Sequence, residues 1–127
     1  MSEIARSRPK YLNLFEIRLP LPGWVSILHR VSGAGLFLML PALIWLLGLS
    51  LGSQESFETF KAIVGHPLVK LVLLGLMWAY LHHFCMGIRI LLLDMHVGIE
   101  KAQARASAIA VLVVSLTLTA ILGVKLW

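Results

Sequence analysis

The chain has 127 residues, of which 59% are apolar and only 13% are Asp, Glu, Lys or Arg. With a mean hydropathy of +0.90, a charged fraction of about half the soluble average excludes an ordinary water-soluble domain. The net charge of +5 comes from 11 basic and 6 acidic residues, but the basic ones form no patch interleaved with aromatics, so nucleic acid is set aside as a partner.

Residues 31–54, 71–88 and 106–124 contain no Asp, Glu, Lys or Arg. Each block is long enough to cross about 30 Å of hydrocarbon as a helix. A soluble helical bundle needs a polar face on every helix. Residues 108–124 offer only Ser115, Thr117 and Thr119, whose hydroxyls can bond back to their own helix. The expected fold is therefore an all-α integral membrane protein with three transmembrane helices running up-down-up. The predicted spans cover about 24–49, 67–93 and 103–127, within the usual length for a membrane helix. They form one three-helix domain over 24–127, preceded by an N-terminal segment over 1–23.

In chain order, Arg6, Arg8 and Lys10 predict an extended or disordered basic leader, attracted to anionic lipid or docked on a protein partner. The first 23 residues hold no apolar core, so no cleaved signal peptide is expected, and Glu3 and Glu16 argue for a bacterial start. Pro20, Pro22 and Gly23 make a stiff approach to Trp24 at the interface. Gly33 and Gly35 thin the first span for close packing, and Pro41 can bend it. Ser53 or Ser56 could cap a brief helix containing Glu58. Pro67 suits the first turn of the second span, which leaves His66 at the interface as a structural or solvated side chain. Gly98 marks the turn before the third span, which Lys125 and Trp127 anchor.

Basic residues gather before the first span (Arg6, Arg8, Lys10, Arg18), at its start (Arg30) and around the second connection (Arg89, Lys101, Arg105). The positive-inside bias thus predicts an N-terminus in the cytoplasm, or in the matrix if mitochondrial; with the bacterial start, the expectation is a bacterial inner membrane with a cytoplasmic N-terminus and a periplasmic C-terminus. The lone Cys85 has no partner for an intrachain disulfide and no CxxCH setting for covalent haem attachment.

The chemistry concentrates in two clusters. His82 and His83 are adjacent near the middle of the second span, so their side chains point about 100° apart and serve different surroundings. Gly87 lies four residues after His83, leaving room on that face for something flat, and Tyr80, three before, could line the same cavity. His82 shares its face with Trp78, Cys85, Met86 and Arg89, which leave less room. His83 is therefore the favoured axial ligand to haem iron, and His82 the favoured helix–helix contact. His66, His96 and His29 lie near the membrane edges and none is an obvious mid-depth mate for His83, so a second ligand is expected from another subunit or a second copy of the chain. Ser26, His29 or Arg30, and Gly33 share one face at the start of the first span. Arg30 keeps its charge and needs a carboxylate, a propionate, a carbonyl or the headgroup layer. Ser26 and Arg30 suit a quinone oxygen, and His29 suits proton handling or an anionic cofactor edge. Arg89 and Asp94 could pair loosely or meet partner chains.

SILHRVSG at 26–33 and HFCMGIRILLLD at 83–94 closely resemble the cytochrome b membrane-anchor family of succinate dehydrogenase, and RPKYLNLFEIRLPLPG at 8–23 fits that family's approach to the membrane. The likeness covers nearly the whole chain and includes the count of three spans. It implies an anchor that is not catalytic alone and joins a second small anchor, an iron–sulfur subunit and a flavoprotein. It implies one haem b shared between the anchors, with His83 as one axial ligand and His29 and Arg30 near its propionates. It implies that Ser26 and Arg30 help bind ubiquinone, the electron acceptor. Ile90 stands where some relatives carry histidine, so any propionate contact from that position is missing. The competing expectations are the anchor of a fumarate reductase and a membrane assembly or transport protein without haem.

Overall fold

A computed structural model describes residue 11 and residues 13–127; Arg6, Arg8 and Lys10 of the basic leader lie outside them. The described chain forms four helices: α1 (Leu21–Leu51), α2 (Gln54–Gly65), α3 (Pro67–Asp94) and α4 (Lys101–Leu126). Three of them, α1, α3 and α4, are long and apolar enough to cross a membrane. At 1.5 Å per residue they extend about 39–47 Å, more than the hydrocarbon thickness.

Local chemistry sets the helix ends. Pro20 is the N-cap of α1 and Pro22 falls in its first turn, where a missing N–H costs nothing. Pro41 lies inside the same helix. Ser53 caps α2 by accepting from the Ser56 backbone N–H at 3.2 Å, and the Ser56 hydroxyl donates back to the Leu49 carbonyl of α1. On α2, Lys61 sits 2.8 Å from Glu58 and holds that carboxyl below the usual range. His66 has a structural role, one of the two expected for it. Its Nδ1 accepts from Leu68 N–H at 3.2 Å and caps α3.

The end of α3 carries a feature that the sequence did not announce. His96 adopts φ +62°, the left-handed region more often given to glycine or asparagine. Its N–H donates to the Leu93 carbonyl, and Val97 N–H to the Leu92 carbonyl, both at 2.9 Å. These two bonds satisfy carbonyls left orphaned at the helix end, in the Schellman pattern. Gly98 then turns the chain with φ +74°.

α3 is central and packs against both α1 and α4. The small sealed core of Val25, Met86, Ala108 and Val111 joins all three spans near the starts of α1 and α4. Elsewhere large apolar side chains face outward, such as Phe37, Leu71 and Val124 at 74%, 66% and 83% exposure. Such a surface suits lipid and would aggregate in water. Two of the three expected hydroxyls inside α4 bond back to their own helix: Ser115 donates to the Leu112 carbonyl and Thr119 to the Ser115 carbonyl.

Candidate functional site

Lipid tails are as apolar as leucine, so polar cross-links and close packing carry much of the specificity between membrane helices. α3 supplies three such links through His82, His83 and Arg89.

His83 is half-buried and reaches across to α1. Its Nδ1 lies 3.1 Å from the His29 carbonyl oxygen and 3.3 Å from the Ser32 hydroxyl. A carbonyl only accepts, so Nδ1 is the protonated nitrogen. The Ser32 hydroxyl gives its single proton to the same His29 carbonyl at 2.9 Å, which leaves its oxygen to accept. Both contacts therefore agree on a protonated Nδ1, which in the neutral ring leaves the Nε2 lone pair available. Such a second contact at the far ring nitrogen orients ligating histidines.

The His83 ring also fits against a bare patch of α1. A Cβ added at Gly33 would sit 2.8 Å from His83 Cε1, too close for real atoms. The expected thinning of α1 is thus used at Gly33. At Gly35 and Gly87 a Cβ would meet nothing within 4 Å; the Gly87 flank is open. The His29 ring stacks on His83, with centroids 4.1 Å apart and planes 12° apart. Tyr80 makes no contact with His83 among the aromatic pairs of the described residues. It is 59% exposed and stacks on Phe84 at 6.4 Å.

His82 is 1% exposed, and its Nε2 lies 3.4 Å from the Val25 carbonyl of α1. The two adjacent histidines thus divide as their spacing predicts, one sealed inside the bundle and one half-buried. Ser26 is half-buried, and Arg30 is exposed and meets no carboxylate among the described residues. Together with His29 and Gly33 they form one continuous face of α1.

Arg89 does not pair with Asp94. It is 6% exposed and faces α4, where Nε–H donates to the Ser107 hydroxyl at 2.8 Å and an Nη to the Ala104 carbonyl at 3.1 Å. Five residues along a helix amount to about 140° of rotation, which turns the Asp94 carboxylate away. Sequence reasoning missed Ser32 and Ser107 as polar partners. Ser32 stands in the SILHRVSG motif, three residues after His29, and that spacing was its only signal.

Residues 5–122 match the family described as succinate dehydrogenase/fumarate reductase transmembrane subunit. The chain is 35% identical over 121 residues to the succinate dehydrogenase cytochrome b556 subunit of Coxiella burnetii, spanning 94% of this chain and 97% of that one. It is 32% identical over 119 residues to the subunit of the same name from Paracoccus denitrificans, at 93% and 92% coverage. The one from Rickettsia felis is 30% identical over 122 residues, at 96% and 95% coverage. Three apolar spans and these bacterial relatives are consistent with a multi-pass protein of a bacterial inner membrane. By sequence along nearly its whole length and by its three-span helical architecture, the chain belongs to the succinate dehydrogenase/fumarate reductase family of cytochrome b-type transmembrane subunits.

Proposed function

We propose that this chain is the anchor of a succinate:ubiquinone oxidoreductase, holding a haem b from one side and helping to form the quinone-reduction site. The observation that carries the reading is the His83 tautomer: Nδ1–H is committed to the His29 carbonyl, and Nε2 is left as a ligand at mid-span. The residues present fit the group. The donor set is an imidazole nitrogen, Gly33 clears space for the ring, and the Gly87 flank is open. When bound, the haem supplies a one-electron iron centre.

In this reading His83 Nε2 would bind the haem iron, and Ser32 and the His29 carbonyl hold its ring in place. The His29 ring, stacked face to face on His83 at 4.1 Å, would stand beside the His83 ring and not supply another iron ligand. The second ligand therefore comes from a second small anchor subunit. The exposed guanidinium of Arg30 serves haem propionate or quinone oxygen, and the His29 ring beside it lines the propionate edge. The Ser26 hydroxyl, one turn before Arg30, donates to the quinone. An iron–sulfur subunit delivers the electrons, which a flavoprotein withdraws from succinate. The relatives compared above are named for succinate dehydrogenase, which favours this direction over fumarate reduction.

The N-terminal segment, residues 1–23, is cytoplasmic here. The three-helix domain, residues 24–127, crosses up-down-up and ends in the periplasm. Arg18, Arg30, Lys101 and Arg105 at one end of the bundle support that orientation.

In the complex purified in mild detergent, His83→Ala should abolish the low-spin haem absorption seen on dithionite reduction; a variant that keeps it would reject the ligand assignment. Ser26→Ala and Arg30→Lys should each slow quinone reduction about 10- to 100-fold, the equivalent of about 1.5–3 kcal/mol for a hydrogen bond to a charged or polarised group. Succinate-driven reduction of a soluble dye should stay near wild type. Equal loss of both activities would count against a local quinone role.

A further inference from the structure

Among the described residues, Arg89 is the one Asp, Glu, Lys or Arg side chain that is buried, and no carboxylate meets it. A guanidinium offers five N–H donors and keeps its charge. Two are well used, by the Ser107 hydroxyl and the Ala104 carbonyl of α4, and a third meets only the Met86 thioether at 3.7 Å. The other two, on the Nη atoms, have no acceptor among the described residues, and all three acceptors present are neutral. A buried charge in a membrane protein is costly and is as a rule paired.

The surroundings favour one kind of counter-ion. Arg89 and Ser107 both line a groove of about 280 Å³ between α3 and α4, so the hydrogen bond that joins them lies in its wall. Arg89 is about 120° around α3 from His83, so the groove is apart from the haem and quinone assignments. Arg89 lies five residues before the end of α3 at Asp94, and Ser107 six after the start of α4 at Lys101. Both are therefore about 8–9 Å inside the same end of the bundle. Helices about 40 Å long span the headgroups as well as the hydrocarbon, so this is the level where headgroups give way to acyl chains. Deeper in, Cys85, Val111 and Val114 carry the groove to about 20 Å without a charge. A cationic end towards the surface and an apolar run towards the midplane match an amphiphile with an anionic head and a hydrocarbon tail. Lys101 and Arg105, exposed at the same end, attract anionic lipid to it.

We propose that this groove holds one anionic phospholipid of the adjoining leaflet. Its phosphate accepts from the free Nη–H groups of Arg89, and an acyl chain lies along Cys85, Val111 and Val114. Charge-assisted bonds from a planar guanidinium to a phosphate are among the stronger polar contacts. A zwitterionic lipid brings its own cation and leaves the guanidinium without net compensation. The site depends on the three membrane spans and not on the haem or quinone assignments.

The test is native mass spectrometry of the intact complex, stripped of lipid by detergent exchange and titrated with phosphatidylglycerol or phosphatidylcholine. Ala110 is exposed and lines the groove, so Ala110→Trp fills it without removing a bond of Arg89. Ile109→Trp places the same bulk on a neighbouring exposed face. The wild-type complex should bind one more phosphatidylglycerol than Ala110→Trp, and Ile109→Trp should bind as wild type. Phosphatidylcholine should occupy that additional site about tenfold more weakly, and Arg89→Gln should abolish the preference. Equal uptake of phosphatidylglycerol by wild type and Ala110→Trp would overturn the proposal and leave a carboxylate of a neighbouring chain as the partner of Arg89. Equal affinity of the site for the two lipids would overturn it too. If Arg89→Gln does not assemble, Ala110→Trp and the choice between lipids decide.

Discussion

Two neighbouring imidazoles with identical intrinsic chemistry acquire different roles from 100° of helical rotation. Spacing alone separated them, because a glycine four residues after His83 and bulky residues around His82 are visible in sequence. What spacing could not show is which atom each ring meets across the seam. The His83 partners lie 54 and 51 residues away in the chain, and one is a main-chain carbonyl that no residue type reveals. The two early glycines of α1 looked alike for the same reason, yet only Gly33 faces a ring. Gly33→Ala should therefore displace His83 and lower haem occupancy about tenfold or more, in the range for disturbed second-contact residues of metal ligands. Gly35→Ala should leave the haem-to-protein ratio unchanged. Alanine favours a helix over glycine by about 1 kcal/mol, so loss at Gly33 could not be assigned to a weaker α1. Equal haem content in the two variants would refute the packing argument.

Among the helices, α3 acts as the hub because its polar residues are shared between two neighbours. His82 and His83 bond to α1, and Arg89 bonds to α4. A buried guanidinium is expensive in a membrane and is tolerated when its donors are met. Removing the Ser107 hydroxyl leaves Nε–H of Arg89 without its 2.8 Å acceptor. Ser107→Ala should cost about 0.6–2 kcal/mol, the scale of polar contacts between membrane helices, read as a lower midpoint for unfolding in detergent. Ser50→Ala, which removes only a bond to the Leu47 carbonyl of its own helix, should be close to neutral. The existence of the spans was plain from three uncharged blocks. Their ends were less so: His96 in a left-handed cap obeys helix-end hydrogen bonding, whereas composition would have favoured glycine there.

For the molecule as a whole, the arrangement of charge relative to the apolar band determines what it can do. Arg18, Arg30, Lys101 and Arg105 stand at one end, and Glu55, Glu58, Lys61 and Lys125 at the other. A periplasm-dependent reporter enzyme fused after Trp127 should be active, and the same reporter fused within the α3–α4 connection should be inactive. The reverse pattern would invert the proposed orientation and put the proposed quinone site on the wrong side of the membrane. The three-helix class was legible because it follows from composition over long windows. The pairing of particular side chains was not, because packed helices bring together residues whose separation in sequence carries no periodic trace.

The hydrogen bond to the His29 oxygen has a genetic corollary. Its acceptor is peptide backbone, so every codon at position 29 encodes it equally well. A mutational scan of side chains would register the loss of the stacked ring and would be blind to the atom that selects the His83 proton. Only exchange of the amide linking residues 29 and 30 for an ester, which weakens that oxygen as an acceptor, would expose its contribution. The part of this centre most resistant to sequence drift is thus one that comparison of sequences cannot detect.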